Sequence, residues 1–223
     1  PVEALGPLVV RTHPIDDPGD LIELLPTTPD ALAWLNGGDG MVAWGAAVTF
    51  DTAGPHRFAQ AQEWWQEIIA SAVVRDEVGK RGTGLIAFGT FTFAGEPGST
   101  LVVPEVVVGR KDGACWLTTI RPALNRDTPL VSTPINEPTA VSFEDGAVDS
   151  QKWQGIVASA IARIQAGQLD KVVLARTVEA QLDTAPDVRA PISKLATEYR
   201  SCWTFLVDGF FGSTPEMLVR LDG

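Results

Sequence analysis

The stretch that decides the fold begins Asp149-Ser-Gln-Lys-Trp153-Gln-Gly-Ile156-Val157-Ala-Ser-Ala160-Ile161-Ala-Arg-Ile164-Gln-Ala-Gly167. It continues Gln168-Leu-Asp-Lys171-Val-Val-Leu-Ala-Arg176-Thr-Val178. The first half spaces Trp153, Ile156, Val157, Ala160, Ile161 and Ile164 by threes and fours, which makes one apolar stripe along a helix. Asp149 and Ser150 offer an N-cap, and Gly167 offers the left-handed residue that ends a helix. The second half is β-branched and mostly apolar, so it reads as a buried strand over 171–178. Lys171 opens that strand. An ammonium there is costly unless it is paired or put to use, or unless its stem snorkels out to solvent.

Working outward, residues 8–11 read as a strand. Thr28 as N-cap and Pro29 at the first helical position predict a short helix through Leu35, closed by Asn36-Gly37-Gly38. Residues 41–50 read as one strand. Phe58, Ala61, Trp65, Ile68, Ile69 and Ala72 predict an amphipathic helix over about 55–78. Strands follow over 85–93, 101–108 and 115–120, the last two joined by a hairpin turn at Asp112-Gly113. Residues 121–148 carry four prolines and little periodicity, which predicts a long surface connection. Beyond the central stretch, 190–199 reads as a helix. Residues 203–208 and 217–221 read as strands, with a bend over 209–215. Strands and helices joined mostly by turns predict an α+β fold: large mixed or antiparallel sheets with helices on their outer faces.

Composition narrows the function. The chain has 223 residues and a net charge of −11, which argues against nucleic acid and against anionic membrane surfaces as partners. No apolar run approaches the roughly 20 residues that span a bilayer. No charged-then-apolar leader opens the chain, and a cytoplasmic location is expected. Cys115 and Cys202 sit far apart in apolar runs, fit no metal-ligand spacing, and read as buried free thiols. His13 and His56 have no companion histidine and are expected to be exposed. Gly37-Gly-Asp-Gly40 and Gly82-Thr-Gly84 lack the spacing of a phosphate loop and read as turns. The tryptophans read as core. Arg176, five residues after Lys171, faces the other side of the expected strand and reads as a structural ion pair.

The run Gln168-Leu-Asp-Lys171-Val-Val-Leu-Ala-Arg176 after such a helix resembles the chorismate-utilising enzymes, and among them most resembles the isochorismate synthases. Phe211-Gly-Ser-Thr-Pro-Glu216-Met-Leu-Val219 is similar to that family's Gly-x-Ser-Pro-Glu-x-Leu signature, with Thr214 where the family usually has Ser or a small residue. Gly40-Met-Val-Ala-Trp-Gly45 carries a weaker likeness. The resemblance implies two subdomains forming one β-sandwich core: an N-terminal α/β subdomain over 1–148, and over 149–223 the start of a chorismate-binding catalytic region. It implies an isomerase that interconverts chorismate and isochorismate by adding water and expelling hydroxide. Such a reaction needs a base and an acid.

Lys171 matches the family's base. A lysine ordinarily holds its proton to about pH 10, so a lysine base needs burial or a neighbouring cation. Glu216 matches the acid, and a carboxyl beside an apolar strand is disposed to stay protonated; without the resemblance it would read as a solvated turn glutamate. Related enzymes that add ammonia usually carry glutamine where Lys171 stands, so lysine implies water as nucleophile. Magnesium is the implied cofactor. Its carboxylate ligands, and the arginine for the substrate carboxylate, are expected beyond Gly223, where similar enzymes continue and where an unprotected sheet edge would otherwise remain. The expected partner is the small molecule chorismate, and a monomer is expected. The product could serve menaquinone or siderophore synthesis. Two alternatives stay open: a salicylate synthase, which adds a pyruvate-eliminating step, and a non-catalytic domain that binds chorismate or a partner.

Overall fold

The structure is a computed structural model, and it describes residues 7–122, 130–183 and 186–219. The chain divides into two compact units. The first comprises 1–135 and 188–223, and the second 136–187. Residue 148 falls inside the second unit, and the chain returns to the first after residue 187.

The first unit is built on an eight-stranded mixed sheet. In chain order its elements are β1 (Leu8–Ile15), a 3-10 helix (Ile22–Leu24), β2 (Leu32–Asn36), β3 (Asp39–Trp44), β4 (Val48–Thr52), α1 (Arg57–Ser71), β5 (Val73–Asp76), β6 (Phe88–Thr90), β7 (Ser99–Val103), β8 (Val106–Lys111) and β9 (Ala114–Pro122). The second unit holds β10 (Val141–Asp145), α2 (Ser150–Gln165) and β11 (Val178–Leu182). The first unit resumes with α3 (Arg189–Glu198), β12 (Trp203–Val207) and β13 (Phe210–Thr214). The large sheet runs β13-β12-β2-β3-β8-β9-β1-β5. Every neighbouring pair is antiparallel except β1–β5, which is parallel. A three-stranded sheet, β4-β7-β6, completes the unit.

One face of the large sheet sets Ala33, Leu35, Val42, Val106, Val108 and Leu206 against Leu21, Ile22 and Leu25 around the 3-10 helix and against Ile192 of α3. The other face sets Leu32, Ala43, Val107 and Val207 against Phe88 of the small sheet. Further along, Trp64 and Ile68 of α1 pack with Val48 and Val103 of the small sheet and with Leu8, Val10 and Ile120 of the large one. Alternating side chains thus bury both faces of the large sheet. This is the α+β architecture with a large mixed sheet that the sequence predicts.

Four local expectations are corrected. Residues 28–35 do not form a helix: Leu32–Asn36 is a central strand, and Gly37 and Gly38, at φ 60° and 93°, make the two-residue turn into β3. Glycines that would end a helix also suit a hairpin with positive φ at both turn positions. The strand expected over 41–50 is two. β3 pairs with β8 and β4 pairs with β7, so one long ribbon bends from the large sheet into the small one at Gly45 and at Pro104-Glu105. Gly45 adopts φ 72° there, and a Cβ on it would meet the Glu105 side chain at 2.9 Å. The helix expected to 78 ends at Ser71, and Val73–Asp76 instead adds an edge strand beside β1. Finally, 209–215 is not only a bend. Asp208 and Gly209, at φ 50° and 71°, turn the chain into β13. Met217 to Val219 have no regular structure, and the end of the strand expected there lies outside the described residues.

Candidate functional site

In the second unit, Asp149 caps α2 as its composition predicts: its Oδ1 accepts the Lys152 N–H at 2.7 Å. Gly167 closes the helix at φ 70°. Lys171 follows and is exposed. The strand expected over 171–178 is not formed. Residues 171–177 have no regular structure, and pairing with β10 begins only at Val178. Val173 is 82% exposed, so this apolar run has no sheet neighbour among the described residues. A strand exists only where another strand takes its backbone groups. Arg176 forms the expected ion pair, with Nη1 2.8 Å from Asp145 Oδ1. Asp145 also accepts the N–H of Ser150 at 3.1 Å. That backbone bond, with Arg176 second, holds its carboxyl below the usual carboxylate range.

Glu216 lies in the first unit, just past β13. Its N–H donates to Thr214 Oγ1 at 3.1 Å, a local turn that Pro215 stiffens, and its side chain is exposed. Lys171 and Glu216 therefore belong to different compact units.

Met217 and Val219, which flank Leu218 directly after Glu216, help line a cavity of about 500 Å³. Its walls are Trp34 of β2, Met41 of β3, Trp116 of β9 and Trp203 of β12, all on one sheet face, with Arg81, Arg110 and Lys111 among its charged residues. Trp34 and Trp203 stack with ring centroids 5.5 Å apart. Trp116 lies over Gly109 of β8 and donates its indole N–H to the Gly82 carbonyl at 3.2 Å. Lys111 Nζ sits 2.8 Å from Asp39 Oδ2. That contact lowers the Asp39 carboxyl and raises the Lys111 ammonium. The sequence reading took the tryptophans as core, which is right for Trp64 and Trp116. Trp34 and Trp203 instead form a half-buried wall. Their alternation with buried neighbours on β2 and β12 places them on one face, but only the sheet order brings them together.

The resemblance implies magnesium, with its carboxylate ligands beyond Gly223. Among the described residues no group of three or more His, Cys, Asp or Glu side chains gathers to hold a metal. No helix among them is long and apolar enough to cross a membrane.

Comparisons with known proteins agree on the family. The chain is 24% identical over 245 aligned positions to the salicylate biosynthesis isochorismate synthase of Pseudomonas aeruginosa, covering 96% of this chain and 51% of that protein. Its fold matches that of MenF, the menaquinone-specific isochorismate synthase from Escherichia coli, with a TM-score of 0.63 at 21% identity, over 95% of this chain and 51% of that one. The chain thus spans about half the length of both. The model of the chorismate binding enzyme family matches residues 32–223, a span that includes both Lys171 and Glu216. On that match, covering most of its length, the chain belongs to the family of chorismate binding enzymes.

Proposed function

We propose that this chain carries the proton-transfer half of an isochorismate synthase. One observation supports the reading: Lys171 and Glu216 stand in two stretches that resemble the family's motifs, and both stretches fall within the matched residues 32–223. Lys171 takes a proton from the attacking water, and Glu216 gives one to the departing hydroxyl. The two acts move protons in opposite directions, so they need one neutral base and one protonated acid. The described residues leave Lys171 and Glu216 exposed, and the reading requires that both be enclosed when chorismate is bound. Magnesium, when bound, would neutralise a carboxylate of the substrate, and no residue of this chain is assigned to it. The substrate chorismate and the isomerase class belong to this same reading.

Lysine at 171 favours water over ammonia as nucleophile. The test is incubation of the protein with chorismate and magnesium, followed by chromatography and a lactate dehydrogenase assay for pyruvate. A chorismate–isochorismate mixture without stoichiometric pyruvate is expected. Pyruvate and salicylate at the rate of chorismate loss would move the assignment to a salicylate synthase. Binding without any conversion would leave a non-catalytic chorismate-binding domain.

A further inference from the structure

Lys171 lies on a strip, 168–177, that has no strand beside it among the described residues, yet the second unit pins this strip at both ends. At one end the close of α2 holds it: the Gly167 and Gln168 N–H groups donate to the Ile164 and Arg163 carbonyls at 3.0 and 2.9 Å. At the other end it meets the loop that starts α2. Arg176 Nη1 donates to Asp145 Oδ1 at 2.8 Å and to the Val148 carbonyl at 3.4 Å. Thr177 Oγ1 accepts the Ala147 N–H at 3.4 Å. Gly146 packs so closely here that a Cβ on it would overlap Thr177 Oγ1 and lie 2.8 Å from the Thr177 carbonyl oxygen. Asp145 also accepts the Ser150 N–H at 3.1 Å and the Ser150 hydroxyl at 3.2 Å. One carboxylate thus ties Arg176 to the first turn of α2.

The strip therefore runs back from the last turn of α2 to its first. The 16 residues of α2 rise about 24 Å. The chain from Gly167 to Arg176 reaches at most about 30 Å, so the strip is nearly drawn out. Exposure agrees: Leu174 and Arg176 are half-buried while Val173 and Ala175 are exposed, the period of two that extended chain produces. Lys171 shares the open side with Val173 and Ala175. Without the contacts of Arg176 and Thr177, the next anchor is Val178, where pairing with β10 begins. The reach then grows to about 36 Å, and the slack over the helix length doubles from about 6 to about 12 Å.

We infer that Arg176 is a positioning residue: with Asp145 and Gly146 it draws the strip along α2 and so fixes where the Lys171 side chain stands. Arg176 touches no reacting atom and acts through Lys171. The hold on Lys171 is independent of the chemistry, whereas its consequence for turnover rests on the isomerase reading. A base about 1 Å out of place can cost roughly 100-fold in rate.

Lysyl endopeptidase tests the hold in the full chain, because it cuts after Lys171 and, as a reference inside α2, after Lys152. In Arg176→Gln the cut after Lys171 is expected to speed up roughly 5- to 15-fold relative to the cut after Lys152, between the worth of an open ion pair and that of a charged hydrogen bond. Gly146→Ala, which presses on Thr177 and leaves Arg176 in place, should act the same way. With chorismate and magnesium, both variants should lose at least about 10-fold in kcat and keep KM within about 2-fold, as expected when only the transition state feels the change. Any of three results would overturn the inference: an unchanged ratio of the two cuts in both variants, both cuts accelerating together, or faster cutting after Lys171 with the kcat of the parent. The second would make the ion pair a support of α2 alone. If the parent leaves chorismate unconverted, the isomerase reading falls, and the ratio of the cuts alone decides whether Arg176 holds Lys171.

Discussion

Replacing Gly109 by alanine should unsettle the wall of the aromatic cavity through a single methyl group. A Cβ built on Gly109 would lie 2.2 Å from Trp116 Cζ2, 2.3 Å from Cε2 and 2.7 Å from Nε1. Ordinary carbon contacts lie at roughly 3.5–4.0 Å, so the indole must move. It has little room, because Trp116 is 1% exposed and is among the largest fully buried side chains of the chain. Moving it breaks the indole N–H bond to Gly82, worth about 0.5–1.5 kcal/mol. Overpacking adds about 1–3 kcal/mol. Alanine offsets about 0.5–1 kcal/mol of this, since glycine loses more backbone freedom in a strand. A net loss of about 1–3 kcal/mol is expected from urea unfolding, followed by circular dichroism and tryptophan emission. Trp116→Leu removes the obstructing ring, so the double variant should cost at least about 0.5 kcal/mol less than the sum of the two singles. Gly109→Ala within about 0.5 kcal/mol of the parent, or strict additivity, would refute the close-approach argument.

Three further outcomes are expected. Lys171→Ala should lower turnover of the proposed reaction by roughly 10²- to 10⁴-fold, the usual worth of a general base, with chorismate binding retained; turnover within a few-fold of the parent would remove Lys171 from the mechanism. Glu216→Gln keeps the shape but cannot pass on a proton, so kcat should fall with KM nearly unchanged, whereas a change confined to KM would make Glu216 a binding residue. Asp145, with its carboxyl held low by the Ser150 N–H and then by Arg176, supports the start of α2 above its ordinary range near pH 4 and loses that support as pH falls through its lower folded value. In Asp145→Asn the acid-side loosening of the Ser150 amide should disappear from hydrogen-exchange profiles, and an unchanged profile would deny the linkage.

What the sequence determined by itself was local and covalent in reach. The Asp149 cap, the helix behind it and its Gly167 stop are set by neighbours within a few residues, and they stand as read. So do the Asp112-Gly113 hairpin, with φ 50° and 77°, the helix over α3, and the family itself, whose model matches residues 32–223. Tertiary structure decided whatever depends on a distant partner. Leu32–Asn36 carries helix-like start and stop signals, yet it is a strand because β3 and β12 flank it and take its backbone groups. Val73–Asp76 leaves the helix because β1 offers it an edge. Conversely, 171–177 has every local mark of a strand and forms none, for no second strand lies beside it among the described residues. Trp34 and Trp203, 169 positions apart in sequence, become one wall only through the order β12-β2. Backbone hydrogen bonds within a helix close over four residues, so sequence can announce them; those of a sheet close across the chain, and only the folded arrangement supplies the other half.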